Sequence, residues 1–201
     1  MTSQPPAPPS CRAAFDHPST TAGHRRLVVK RWAWLILVLS LAAAAVWAGL
    51  GKPWREVVGL TVFSLCVYPL LLWVTLLALR RTARMSRILT TYPWRAYPCD
   101  YPRRSAESSR VIRIRFSEDH APTLRLTPFT VNIAEKQNPA PTQIWFAGDP
   151  RYGGVISPVG GHFPVRVVPE RLGERVPAGS PEADALAERA ELVRGGRVST
   201  T

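Results

Sequence analysis

WAWLILVLSLAAAAVWAGLG, residues 32–51, contains no charged side chain. At about 1.5 Å of rise per residue, a helix of that length crosses a hydrocarbon core of about 30 Å. A second stretch, VVGLTVFSLCVYPLLLWVTLLAL at 57–79, is longer and equally free of charge. Soluble buried helices rarely stay uncharged for so long, so the two stretches predict a pair of transmembrane helices. Only Lys52 to Glu56 separates them, which makes them antiparallel neighbours in a hairpin. Trp32, Trp34, Trp47 and Trp54 fall near the expected water interfaces, where the indole ring is favoured.

Two features within the spans bear on packing. Ser40, Ala44 and Ala48 recur every four residues, as do Ala45 and Gly49, forming a stripe along which another backbone approaches closely. A run of alanines produces the same spacing without any contact. Pro69 removes a backbone donor inside the second span and predicts a kink there. Neither span contains Asp, Glu, Lys, Arg or His, the residues on which proton and ion relays depend, so the hairpin reads as an anchor.

The formal charge is +12, and its excess is concentrated at the end of the second span. Arg25, Arg26, Lys30 and Arg31 precede the first span and Arg80, Arg81, Arg84 and Arg87 follow the second, against Lys52 and Arg55 between them. By the positive-inside rule both termini lie in the cytoplasm of a multi-pass protein of the cell membrane. The stretch Arg25-Arg26-Leu27-Val28-Val29-Lys30 resembles a twin-arginine export signal. The apolar run is long for such a signal, however, and a second span follows at once. Arg80, Arg84 and Arg87 stand at helical spacing, so a basic exit helix would face anionic inner-leaflet lipids, each charge contributing about 1 kcal/mol.

The rest of the chain divides into three parts. Residues 1–28, with Pro5, Pro6, Pro8 and Pro9, predict a disordered N-terminal tail. The hairpin and its exit helix fill 29–89, and 90–170 predicts a small all-β, antiparallel, barrel-like soluble domain. There, VIRIRF at 111–116 alternates with Ile112, Ile114 and Phe116 inward, and Thr123 to Thr127 alternates again across a turn. IWFAG at 144–148, Val155 to Val159 and Phe163 to Val168 supply further strands, making five or six in all. Residues 171–201 read as a flexible tail with a short helix at 181–194, capped by Ser180-Pro181-Glu182 and ended by Gly195.

Chemistry-bearing residues are present without a diagnostic arrangement. Ser117, Glu118, Asp119, His120, Asp149, His162 and Cys99 are the polar candidates, yet HExxH, CxxC and GxSxG are all lacking. Cys11, Cys66 and Cys99 offer no sensible disulfide pair. The chain is therefore read as no enzyme, with no catalytic, cofactor-binding or metal-ligating residue and no cofactor. A basic and aromatic face of Trp94, Arg113, Arg115 and Arg125 is the competing feature, of the kind single-strand binders use. Outward arginines on a half-exposed strand are equally an ordinary solvated surface, which disfavours nucleic acid.

TYPWRAYPCDYP at 91–102, RFSEDHAPTLRLTPF at 115–129 and IWFAGDPRYGGVISPVGG at 144–161 resemble uncharacterised actinobacterial integral membrane proteins with two spans and a small cytoplasmic β domain. The resemblance covers most of residues 30–169 and implies architecture without an activity. The expectation is a non-enzymatic, membrane-anchored interaction or scaffold protein, with a membrane-tethered nucleic-acid or ligand-binding module as the alternative. Its expected partners are the lipid bilayer, a further protein and a second copy of the chain.

Overall fold

A computed structural model describes residues 11–49, 52–101, 111–118, 120–127, 138–170 and 180–193. Within them the chain forms two compact units. One is a helical hairpin over Arg25–Ala83; the other joins the residues up to His24 with those from Arg84 onward around a β-barrel. The expected disorder of residues 1–10, the expected end of the first span at Leu50 and Gly51, the candidate Asp119 and the expectations for 171–179 and 194–201 lie outside the described residues.

The hairpin consists of α1, Pro18–Gly49, and α2, Trp54–Thr91, which continues through Pro69. Both helices are long and apolar enough to cross a membrane. Between residues 31 and 49 the less exposed positions are Arg31, Leu35, Val38, Ala42, Ala45 and Gly49. Their alternating spacing of four and three is the heptad seam of a helix packed on a partner. Polar links cross the hairpin: Arg31 Nη1 donates to the Ala78 carbonyl and the Thr82 hydroxyl, and the Tyr68 hydroxyl donates to the Leu41 carbonyl at 2.9 Å. The opposite surface is strongly apolar, with Trp32, Ile36, Leu39, Val46 and Trp47 all more than half exposed.

The barrel closes six antiparallel strands in the order β1-β2-β3-β6-β5-β4. These are β1 Arg95–Asp100, β2 Val111–Ile114, β3 Thr123–Thr127, β4 Gln143–Asp149, β5 Gly153–Ser157 and β6 Val165–Pro169. Alternation sends Ile112, Ile114, Leu124, Leu126, Ile144, Phe146, Ile156 and Val167 inward, where they form one buried cluster. Each such side chain contributes about 1.5–3 kcal/mol when fully buried. The lumen is thus filled. Among the described residues, β1 and β2 pair Cys99 with Ile114 and Asp100 with Arg113. Next to them, the Pro98 carbonyl accepts from Arg115 N at 3.0 Å, but Pro98 has no N–H to return.

The outer face of β4 and β5 is also buried, which alternation alone does not require. Trp145, Ala147, Val155 and Ser157 are each 2% exposed or less. The cover includes residues expected to be a disordered tail. Ala14–Asp16 form a 3-10 turn and α1 begins at Pro18. Ala14 N donates to the Tyr92 carbonyl at 2.8 Å, and His17 meets the Trp145 ring edge-on at 5.5 Å. Trp94 Nε1 donates to the buried Thr20 hydroxyl at 3.0 Å, and Ser19 donates to the Gly160 carbonyl. A Cβ on Gly23 would lie 2.3 Å from the His162 carbonyl oxygen, so only glycine allows this approach. Proline-rich composition predicts disorder when a segment has nothing to bury against; here the barrel wall supplies it.

The C-terminal helix, α3, runs Pro181–Arg189, shorter than the predicted 181–194. Ser180 caps it as expected, accepting from Ala183 N at 3.2 Å. Its end comes before Gly195: Glu191 adopts φ 53°, Glu191 N donates to the Glu188 carbonyl and Leu192 N to the Ala187 carbonyl, each at 2.9 Å. This is a Schellman motif with a non-glycine residue at its left-handed position. The buried Leu192 and a Glu191–Arg87 ion pair hold it in place.

Candidate functional site

Three surfaces carry the residues singled out from the sequence. On the hairpin, Ala45 and Gly49 lie on the less exposed seam of α1, whereas Ser40, Ala44 and Ala48 are exposed among the outward apolar residues. At the end of α2, Arg80, Arg81, Arg84 and Arg87 are all exposed, and Arg87 pairs with Glu191.

On the barrel, Arg113, Arg115 and Arg125 point outward from neighbouring strands and are exposed. Register sets Arg113 opposite Thr123 and Arg125 opposite Val111, so these two are diagonal neighbours. Trp94 does not join them. It is 3% exposed and stacks at 6.2 Å, tilted, against Trp145 beneath the N-terminal segment. The arginines therefore occupy a barrel wall that Trp94 does not share, and its ring presents no face for a base to stack on.

The candidate catalytic groups are likewise dispersed. His120 lies in the β2–β3 turn, where its carbonyl accepts from Phe116 N at 2.9 Å, while the exposed His162 lies in the β5–β6 loop. In this topology those connections sit at opposite ends of the barrel. Burial pushes the Cys99 thiol up to about 11, with Asp100 adding to the rise and Tyr101 opposing it. A thiol in that state is a poor nucleophile at neutral pH. Alkylation of Cys99 by iodoacetamide is expected to be slow at pH 7 relative to a cysteine placed at exposed Glu118, and to accelerate as pH approaches 11; equal rates at pH 7 would contradict this.

The third surface is the end of the barrel where β4 leads into β5. Tyr97, Phe146 and Phe116 close the lumen there, with ring centroids 4.8 to 6.2 Å apart. Gly148 and Gly154 face each other above Phe146. A Cβ on Gly148 would come within 2.6 Å of Gly154 Cα, so the strands close to this distance only without side chains. Beyond the glycines is a cleft of about 250 Å³, lined by Tyr92, Arg95 and Asp149 and roofed by Ala183 and Leu186 of α3.

An ion network fixes this end. Asp149 accepts from the backbone N of Arg151 at 2.9 Å, and its two oxygens take Arg151 Nε at 3.0 Å and Nη2 at 2.7 Å. Arg151 Nη1 reaches Asp184 of α3 at 2.6 Å, and its Cζ lies 5.2 Å from the Tyr152 ring centroid. Hydrogen bonding to Asp149, then to Asp184, raises the Arg151 pKa against the opposing effect of burial. Tyr92 and Arg95 were not apparent as site residues in the sequence; the legible signal was the Asp149-Pro150-Arg151 turn, in which a carboxylate precedes a guanidinium by two residues. Compared with known protein families, with curated proteins and with solved structures, the chain matches none.

Proposed function

We propose that the chain is a two-pass membrane anchor that presents its β-barrel on the cytoplasmic side as a non-enzymatic interaction or scaffold module. The observation that carries the reading is the outward apolar surface of the helices. Trp47 is 79% exposed, Leu65 75%, Val46 67% and Leu70 62%, large apolar side chains left uncovered along both helices. Lipid is the solvent that suits such a surface.

Orientation rests on the basic residues that flank the hairpin, with Arg80, Arg81 and Arg84 available to anionic headgroups of the inner leaflet. A filled lumen and dispersed polar groups leave the outer wall and the barrel end as surfaces for a partner. Burial of Trp94 removes the aromatic component that favoured nucleic acid.

Cysteine accessibility tests the anchor and its orientation together. In a background lacking the native cysteines, Lys52→Cys reports the inter-helix loop and Glu118→Cys the β2–β3 turn; both positions are exposed. An impermeant maleimide is expected to label Lys52→Cys in intact cells and Glu118→Cys only after lysis. The reverse pattern would overturn the orientation, and release of the chain by alkaline carbonate would overturn the anchor.

A further inference from the structure

We propose that α3 is a releasable cap on the barrel end, held through Arg87 and set free when an anionic lipid surface takes that arginine from Glu191. The inference rests on the anchor reading above, since it needs α2 to emerge from a bilayer. Arg87, the barrel and α3 all belong to one compact unit.

α3 is short and shallowly seated. Nine residues are too few for a helix to persist in water without a partner. The side chains it buries are small, Ala187 and Ala190, and below Ala183 and Leu186 the barrel end is left as an open cleft. Leu192, the large side chain buried just beyond the helix, follows Glu191, whose left-handed φ of 53° is unfavourable for a residue with a side chain. Two ion pairs hold the segment against that cost, Asp184 with Arg151 and Glu191 with Arg87. They differ in what can reach them: the Arg151 side chain is 15% exposed and that of Arg87 51%. Arg87 is therefore the accessible hold on α3.

The same arginine closes the basic series Arg80, Arg81, Arg84 and Arg87 at the end of the second span. It follows Leu79 by eight residues, which is about 12 Å along a helix. Headgroups occupy about 5–7 Å beyond the hydrocarbon, so Arg87 stands within a Debye length of about 8–10 Å from them. The segment it holds has the opposite charge, with Glu182, Asp184, Glu188 and Glu191 against Arg189. An anionic surface thus acts twice, attracting Arg87 and repelling α3. A neutral surface does neither.

The test places the full chain in nanodiscs of phosphatidylcholine, with or without phosphatidylglycerol, at one ionic strength. It reads amide exchange at Ala190, Glu191 and Leu192, whose N–H groups donate to the Leu186, Glu188 and Ala187 carbonyls. Their exchange is expected to rise about fivefold in the anionic discs, the factor for one charge near such a surface, while amides of β3 and β6 stay unchanged. Arg87→Gln, a change at an exposed position, is expected to show raised exchange already in neutral discs and to respond to anionic lipid by about twofold or less. Equal exchange in the two kinds of disc would overturn the cap. So would an equal rise in β3 and β6, which would report loosening of the whole barrel, or an undiminished response in Arg87→Gln. Failure of the chain to enter either kind of disc would overturn the anchor itself, and the cap with it.

Discussion

Asp149→Ala is expected to destabilise the barrel by about 3 kcal/mol, measured as a shift in the chemical denaturation of the detergent-solubilised chain. The Arg151 side chain is 15% exposed and that of Asp149 6%, so the pair is largely withdrawn from water. Removing one member of such a pair typically costs about 3–5 kcal/mol, because the other charge is left without compensation. The lower end applies, since Arg151 keeps its contact with Asp184, whose side chain is 56% exposed. The β4–β5 turn would also lose the link from Asp149 Oδ1 to Arg151 N. If the stranded guanidinium is the cause, the double variant Asp149→Ala/Arg151→Ala should lose less than the single one. A single-variant loss below about 1 kcal/mol, or a double variant equal to the sum of the two single losses, would refute the account. Amide exchange in α3 should rise alongside, since Arg151 is the ionic link between the turn and Asp184.

The network was only half legible in the sequence. Asp149-Pro150-Arg151 reads as a turn, and Ser180-Pro181-Glu182 as a helix start, but nothing local joins them. Strands with clean alternation were the easiest to read: Thr123–Thr127 has the expected limits, because Leu124 and Leu126 face the core and Arg125 faces out. β1 was harder. Pro98 argues against a strand, and the alternation of Tyr97 and Cys99 matters only once a barrel exists to receive them. The N-terminal segment departs from its expected disorder for a related reason. Thr20, Gly23 and His24 look like polar linker residues until the wall of β4 and β5, with Trp94 and Trp145, is there to cover. Local pattern thus reports faces that meet the chain's own core, whereas second-layer contacts depend on partners distant in sequence.

Leu39→Asp separates the two environments the hairpin could occupy. Leu39 is 52% exposed and lies near the middle of the first apolar stretch, outside the seam formed by Leu35, Val38 and Ala42. If that face met water, an aspartate there would change stability by no more than about 0.5 kcal/mol beyond its weaker helix propensity. If it meets lipid, the same change should cost about 2.5–3.5 kcal/mol of insertion free energy, roughly a hundredfold in the insertion equilibrium. Val38→Asp serves as the control, because Val38 is 3% exposed and a buried charge is unfavourable in either solvent. The readout is the carbonate-resistant fraction of the chain in membranes, compared among the parent, Leu39→Ala and both aspartate variants. The lipid reading expects Leu39→Asp to fall well below Leu39→Ala. Were Leu39→Asp to match Leu39→Ala while Val38→Asp alone failed, the outward apolar band would be facing something other than a bilayer, and the anchor would have to be abandoned.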